Sequence, residues 1–225
     1  MEISDWILLI STVILAAAAL IAPYLAEKLK RSLYPPKLKI LFNFCPPFCH
    51  KTSWNTNPRE FVYYFRLQVI NEGKSQARLC EVVLEKLWIY DSYNKPKLYS
   101  NFSPVNMNWV GSTNEYININ PKRMFFCDIG HISSPIYQTE KERNNFLDII
   151  GYKGKDLRFV LDLNQIFLSQ PNCFPPGKYK LQIGLYSENA DYQNEFFNIS
   201  WSGKWSEEKD EMFREIVIER SEYSN

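Results

Sequence analysis

Two thiols and an imidazole fall within six positions of the chain, Cys45, Cys49 and His50 in FCPPFCHK. Thiolate and imidazole are zinc ligands, and a structural zinc site needs about four of them. The run lacks the close C-x2-C spacing of a zinc knuckle, and its two prolines stiffen the gap between the thiols. A fourth ligand would have to come from His131, Cys80, Cys127 or Cys173, brought in only by the fold. Cys45, Cys49 and His50 are therefore weak metal candidates. The preferred reading is a packed loop joining the first two strands. A Cys45–Cys49 disulfide becomes an alternative if the domain lies outside the cell. The five cysteines are odd in number and follow no regular framework, which reads as free thiols in a reducing compartment. Cys80 and Cys127 sit in strand patterns and read as small core residues.

Other catalytic chemistry finds little to build on. The sequence has two histidines, His50 and His131. His131 stands two positions before Ser133, but neighbours in sequence do not make a nucleophile–base pair. GYKGKD, from Gly151, has the wrong spacing for a phosphate-cradling loop and no Ser or Thr after its lysine. HExxH and GxSxG patterns are absent. The expectation is a protein that is not an enzyme and needs no cofactor and no metal.

The elements around these residues are strands. Aromatic residues make up 16% of the chain, with 15 Phe, 14 Tyr and 6 Trp, a composition suited to sheets. In FVYYFRLQV, Phe61, Tyr63, Phe65, Leu67 and Val69 alternate with Val62, Tyr64, Arg66 and Gln68, the period of a half-buried strand. NEGK interrupts it, and Gly73 is expected to supply a positive φ there. The next strand has two apolar sets, Cys80, Val82 and Leu84 with Trp88 and Tyr90, and Leu79, Val83, Leu87 and Ile89. Tyr179, Leu181, Ile183 and Leu185 alternate in KYKLQIGLY. PGKY in front of them resembles the tyrosine corner of sandwich domains, which makes Tyr179 a structural residue closing a loop through its hydroxyl. LKILFNF, RMFFCDIGHI, DLRFVLDL, EFFNISWSG and EMFREIVIER complete a set of about eight strands. SEEKDEMFRE could form one or two helical turns before IVIER extends. Trp201 and Trp205 flank a turn at Gly203 and read as core or turn-packing residues. The fold class is all-β: an immunoglobulin-like two-sheet sandwich with long loops.

LQVINEGKSQARLCEVVL resembles a motif of immunoglobulin-like bacterial modules, those of the CARDB type, in which a strand ends in Val-x-Asn-x-Gly and Ala opens the next. Val69, Asn71, Gly73, Ala77, Val82 and Leu84 match it. The likeness implies a fold and no activity. The leading apolar segment, CH before the first long strand, ENA and WSGKW…MFRE together resemble uncharacterised prokaryotic membrane-anchored proteins with one span.

That leading segment is uncharged from Trp6 to Ala26. A helix of this length rises about 30 Å, enough for a bilayer core. Its apolar character runs all the way round, unlike a surface helix, and the acidic start, with Glu2 and Asp5, disfavours a cleaved signal. Trp6 and Tyr24 fall where aromatic belts form, and Lys28, Lys30 and Arg31 follow. The spans read as residues 1–31 for the transmembrane helix and basic flank, 32–37 for a proline spacer and 38–225 for the sandwich. Cations on the trailing side alone place the amino terminus outside and the sandwich in the cytoplasm of the inner membrane. The glycosylation patterns at Asn101 and Asn198 then have no meaning.

Charge is nearly balanced, with 26 basic and 25 acidic residues, so no basic footprint for nucleic acid exists. The expected partners are the lipid bilayer, through one span, and a protein partner or a second copy. Small Ala18 and Ala22, four apart, allow close helix packing. The expected function is a membrane-anchored binding module at the cytoplasmic face. Two alternatives stand: a small-molecule or signal sensor with a pocket between the sheets, and an exported envelope or adhesion module of reversed topology.

Overall fold

One long helix leads into two antiparallel sheets in the computed structural model, which describes residues 3–53, 61–138, 154, 156–164 and 172–221. The helix, α1, spans Ile3–Leu33. The strands are β1 (Leu38–Leu41), β2 (Cys49–Ser53), β3 (Phe61–Asn71), β4 (Ala77–Tyr90), β5 (Pro96–Leu98), β6 (Val105–Asn106), β7 (Ile117–Ile119), β8 (Met124–Ser133), β9 (Phe159–Leu161), β10 (Cys173–Phe174), β11 (Gly177–Tyr186), β12 (Gln193–Trp201) and β13 (Ile216–Ser221). Two short helices, α2 (Pro135–Tyr137) and α3 (Lys209–Glu215), sit between strands. The first sheet runs β1-β3-β8-β9-β10, with β2 also paired to β3; the second runs β13-β12-β11-β4-β5, with β6 and β7 paired to β4. The architecture is an all-β sandwich behind one N-terminal helix.

Period-two patterning builds the core. Tyr63, Phe65, Leu67 and Val69 of β3 and Leu181, Ile183 and Leu185 of β11 are fully buried. Each such side chain contributes roughly 1.5–3 kcal/mol on leaving water. Aromatic rings join the layers: Phe159 lies 6.0 Å from Phe174, which stacks at 4.4 Å on Tyr179. After β6 the chain crosses from one sheet to the other, with Met107 bridging to Leu163 and Trp109 to Cys127 of β8. Trp201 is buried, its indole N–H donating to Leu157 O at 2.9 Å.

Two β-bulges set which residues face in. In β4, Leu84 pairs with Ile183 and Lys86 with Gln182, so Glu85 is the extra residue. The buried set accordingly switches from Cys80, Val82 and Leu84 to Leu87, which explains the two overlapping apolar sets in that strand. In β8, Asp128 pairs with Arg66 and Gly130 with Phe65, leaving Ile129 as the extra residue.

Several expectations are corrected. Helix α1 continues through Leu33, two residues past the expected end, because Pro35 restricts only the residue before it, Tyr34. Cys49 and His50 open strand β2 rather than lying in a loop. LKILFNF extends only to Leu41, and Phe42 and Phe44 instead pack edge-on against Phe197 and tilted against Phe213. DLRFVLDL yields three strand residues, and EMFREIVIER divides into the end of α3 and β13. Gly151 and its GYKGKD run lie largely outside the described residues.

The spacer is docked rather than free. Glu72 N donates to Lys37 O at 2.8 Å, and Lys37 N to Asn71 Oδ1 at 3.2 Å. Asn71 is fully buried and also accepts from Gly73 N at 2.9 Å while donating to Ser75 O at 2.8 Å and Ile119 O at 2.9 Å. Gly73 is not in a left-handed conformation; its role is close approach. A Cβ there would stand 2.4 Å from Lys37 N and 2.5 Å from Pro35 O.

Candidate functional site

The outer face of the first sheet gathers both histidines with two aspartates, an arginine and a tyrosine. Strand β3 supplies Tyr64 and Arg66, alternate to its buried residues. On β2, Cys49 pairs with Phe65 and His50 with Tyr64, so Cys49 faces the core and His50 faces out. On β8, Asp128 pairs with Arg66 and His131 with Tyr64. Residues three apart on a regular strand face opposite ways. The bulge at Ile129 returns Asp128 and His131 to one face. Gly130 permits this, because a Cβ there would meet Val160 O at 2.3 Å and the Phe159 ring at 2.8 Å. Strand β9 places Val160 opposite His131 and delivers Asp162 just beyond its end.

The side chains form a connected set. Arg66 Nε donates to Asp128 Oδ1 at 2.7 Å, and Arg66 Nη1 lies 3.2 Å from His50 Nε2. A guanidinium only donates, so that imidazole nitrogen accepts and the His50 proton sits on Nδ1. His131 Nδ1 contacts both Asp162 oxygens, at 2.9 and 3.1 Å. The Tyr64 ring lies between the imidazoles, 6.1 Å from His50 and 5.5 Å from His131, with the Arg66 guanidinium 5.0 Å from its centre.

Burial pushes the Asp128 carboxyl up to about 6; the Asp162 charge pushes the same way, against Arg66 and His131. Burial also lowers His50, helped by the Arg66 charge and opposed by the nearby Pro47 backbone. At neutral pH, His50 is thus a neutral acceptor. The face combines an arginine held by a carboxylate that takes up a proton near pH 6, and a second carboxylate held by an imidazole. His131–Asp162 has the geometry of an imidazole oriented by a carboxylate, although His131 is only 5% exposed.

The expected metal candidates do not converge. Cys49 points into the core with its thiol 3.8 Å from Asn43 O, His50 points out, and Cys45 is exposed. Burial pushes the Cys49 thiol up to about 12 and Cys80 up to about 11, and raises Cys127 well above its ordinary value. These groups stay protonated thiols, poor ligands and poor nucleophiles. Among the described residues no three His, Cys, Asp or Glu side chains are grouped to hold a metal ion.

The remaining sequence-chosen residues have other places. Tyr179 Oη donates to Pro175 O at 2.8 Å. Trp6, Tyr24 and Lys28 are exposed on α1, and Lys30 and Arg31 lie in its final turns. The residues from Trp6 to Leu29 form one helix long and apolar enough to span a membrane. A shallow polar depression of about 180 Å³ lies on the surface of the second sheet, lined by Tyr90, Asn94, Lys178, Asn198 and Glu219 among others. The space between the sheets is instead filled by buried rings such as Phe65, Phe159 and Phe174.

The Arg66–Asp128–His131 grouping was missed from sequence. The available signal was Gly130 inside a strand pattern, a mark of a bulge.

No family model matches the chain, and no curated protein matches it. Among solved structures it is similar to the X-ray structure of Northeast Structural Genomics Consortium target SoR45, at 14% identity over 71% of this chain and 79% of that one, TM-score 0.26. It is also similar to a Bordetella pertussis protein given the name ApaA, at 10% identity over 72% of this chain and 86% of that one, TM-score 0.26. Likenesses this distant carry no argument for fold or function.

Proposed function

We propose that this chain is a single-span membrane protein that holds a rigid sandwich at the cytoplasmic face, in the inner membrane, and binds a protein partner through the polar face of its first sheet. The role is binding rather than catalysis. Helix α1 supports the anchoring, being apolar from Trp6 to Leu29 with no part of that stretch buried. The orientation rests on Lys28, Lys30 and Arg31 trailing the span, with no cation ahead of it.

The observation that carries the binding reading is the bulge at Ile129. It places Asp128 and His131 beside Arg66, His50 and Asp162 on one surface. Bulges concentrate where a side chain must be re-aimed for function. Among the described residues strand β2 pairs only with β3, which leaves its other side open along this face.

The test places a photo-cross-linking residue at Thr52, on that edge beyond His50, in full-length protein in intact cells. A discrete protein adduct that is lost with Arg66→Gln supports the reading. No adduct from chain recovered in the membrane fraction overturns it. Reporter fusions at the carboxyl end check orientation: periplasmic phosphatase activity would refute the cytoplasmic placement and favour an exported module.

A further inference from the structure

The end of the sandwich that receives α1 is basic and carries exposed apolar side chains. Much of it is tied to the Asn71 turn. Lys37 hydrogen-bonds Asn71 through its backbone, and Lys39 lies 3.9 Å from Glu72. Lys74 N bonds Pro35 O, and its ammonium stands 5.6 Å from the centre of the Tyr34 ring. Lys122 N bonds Asn71 O while its side chain donates to Glu72 O at 2.9 Å; Arg123 O accepts from Asn71 N. Arg78 reaches back to Glu27 of α1 at 3.4 Å and to Glu188 at 3.2 Å. Asp191 lies in the adjoining β11–β12 turn. Among the described residues, Lys37, Lys74, Lys122 and Arg123 have no carboxylate within ion-pairing distance. Cations thus outnumber carboxylates at this end.

Apolar groups accompany them. Leu79 is 53% exposed and held at a φ of 48°, where a leucine is strained, in the irregular pairing of β4 with β7. Met124 and Phe125 are exposed at the start of β8, directly after Lys122 and Arg123. The apolar stretch of α1 ends at Leu29 and the helix ends at Leu33. Four residues rise about 6 Å, comparable to the headgroup layer on one side of a bilayer, about 5–8 Å.

We propose that this end of the sandwich docks on anionic lipid headgroups of the same bilayer that α1 spans: Lys37, Lys74, Lys122 and Arg123 meet the phosphates, and Leu79, Met124 and Phe125 enter the interface. The proposal rests on the spanning reading of α1 and adds a second contact with the membrane. An anionic leaflet attracts such cations with about 1 kcal/mol each, roughly fivefold in affinity per residue.

The test uses full-length protein in nanodiscs of phosphatidylcholine alone and of phosphatidylcholine with phosphatidylglycerol. A photo-cross-linking p-benzoylphenylalanine is placed at position 124, and a control at position 93, at the far end of β4 about 40 Å away. Lipid adducts at 124, at least fivefold fewer without the anionic lipid and reduced at least tenfold by Lys122→Glu with Arg123→Glu, are the expected result. Equal adducts at 124 in both compositions, or at 124 and 93 alike, would overturn the docking, as would none from chain that is in the discs. Chain that never enters the discs defeats the spanning reading instead, and the docking with it.

Discussion

Arg66 and Asp128 meet across β3 and β8 at 2.7 Å, and they do so beside a bulge that also turns His131 to the same side. The pair is largely buried, with side chains 20% and 14% exposed. Ion pairs at this depth contribute less to stability than to specificity and to the titration of their members.

Asp128 is therefore expected to titrate near pH 6 in a carboxyl-resolved NMR titration. Its folded pKa lies above its unfolded one, so the folded state holds the extra proton. Stability falls as pH rises from about 4 to about 6 and then levels off. Asp162→Asn removes a like charge and lowers the midpoint; Arg66→Gln removes the opposing cation and raises it. A midpoint at the ordinary carboxylate value in the unaltered protein would contradict the burial seen here.

Gly73→Ala should undock the linker. Its Cβ meets the backbone of Pro35, Pro36 and Lys37, which cannot move aside as a flexible side chain would. A loss of about 1–3 kcal/mol is expected from such overpacking. Asn71→Ala leaves Gly73 N, Lys37 N, Ser75 O and Ile119 O without their partner and should cost about 3 kcal/mol. Thermal unfolding in detergent measures both; unchanged midpoints would show that the turn does not hold the spacer.

The thiols should separate cleanly by reactivity. Cys45 is exposed, while Cys49, Cys80, Cys127 and Cys173 are buried. Native protein is expected to take up one alkylating group quickly, at Cys45, and the other four only on unfolding. Mass spectrometry of the labelled peptides gives the answer, and rapid labelling of Cys49 would contradict its place against Phe65.

Tyr179→Phe keeps the stack on Phe174 and deletes the bond to Pro175 O. A loss of about 1 kcal/mol is expected, with no change in near-ultraviolet signals from the buried rings.

Much of the sandwich could be read from alternation alone. Tyr63 to Val69 and Tyr179 to Leu185 follow strict period two, and both lie in central strands with one face inward. The polar face was not readable, because period two assigns Asp128 and His131 to opposite sides. Only the extra residue at Ile129 reverses one of them, and a bulge is fixed by tertiary pairing rather than by local composition. Cys45, Cys49 and His50 were chosen for ligand type and nearness in sequence. Strand alternation then separates the last two, sending one into oil and the other toward water. At Gly73, crowding by Pro35 and Lys37, not left-handed geometry, demands the missing side chain.

The clamp at Asn71 fixes residues 35–37 to the head, and Arg78 meets Glu27 of α1 at 3.4 Å, so the sandwich follows the heading of α1. On the spanning reading proposed above, the flank of the rod that meets a neighbour in the bilayer decides the compass bearing of Arg66 and its companions. One residue inserted into the last turn of α1 would turn that bearing by about 100°. On the same reading, companions embedded in the same sheet of lipid, approaching from a single quarter, are the ones this arrangement can greet.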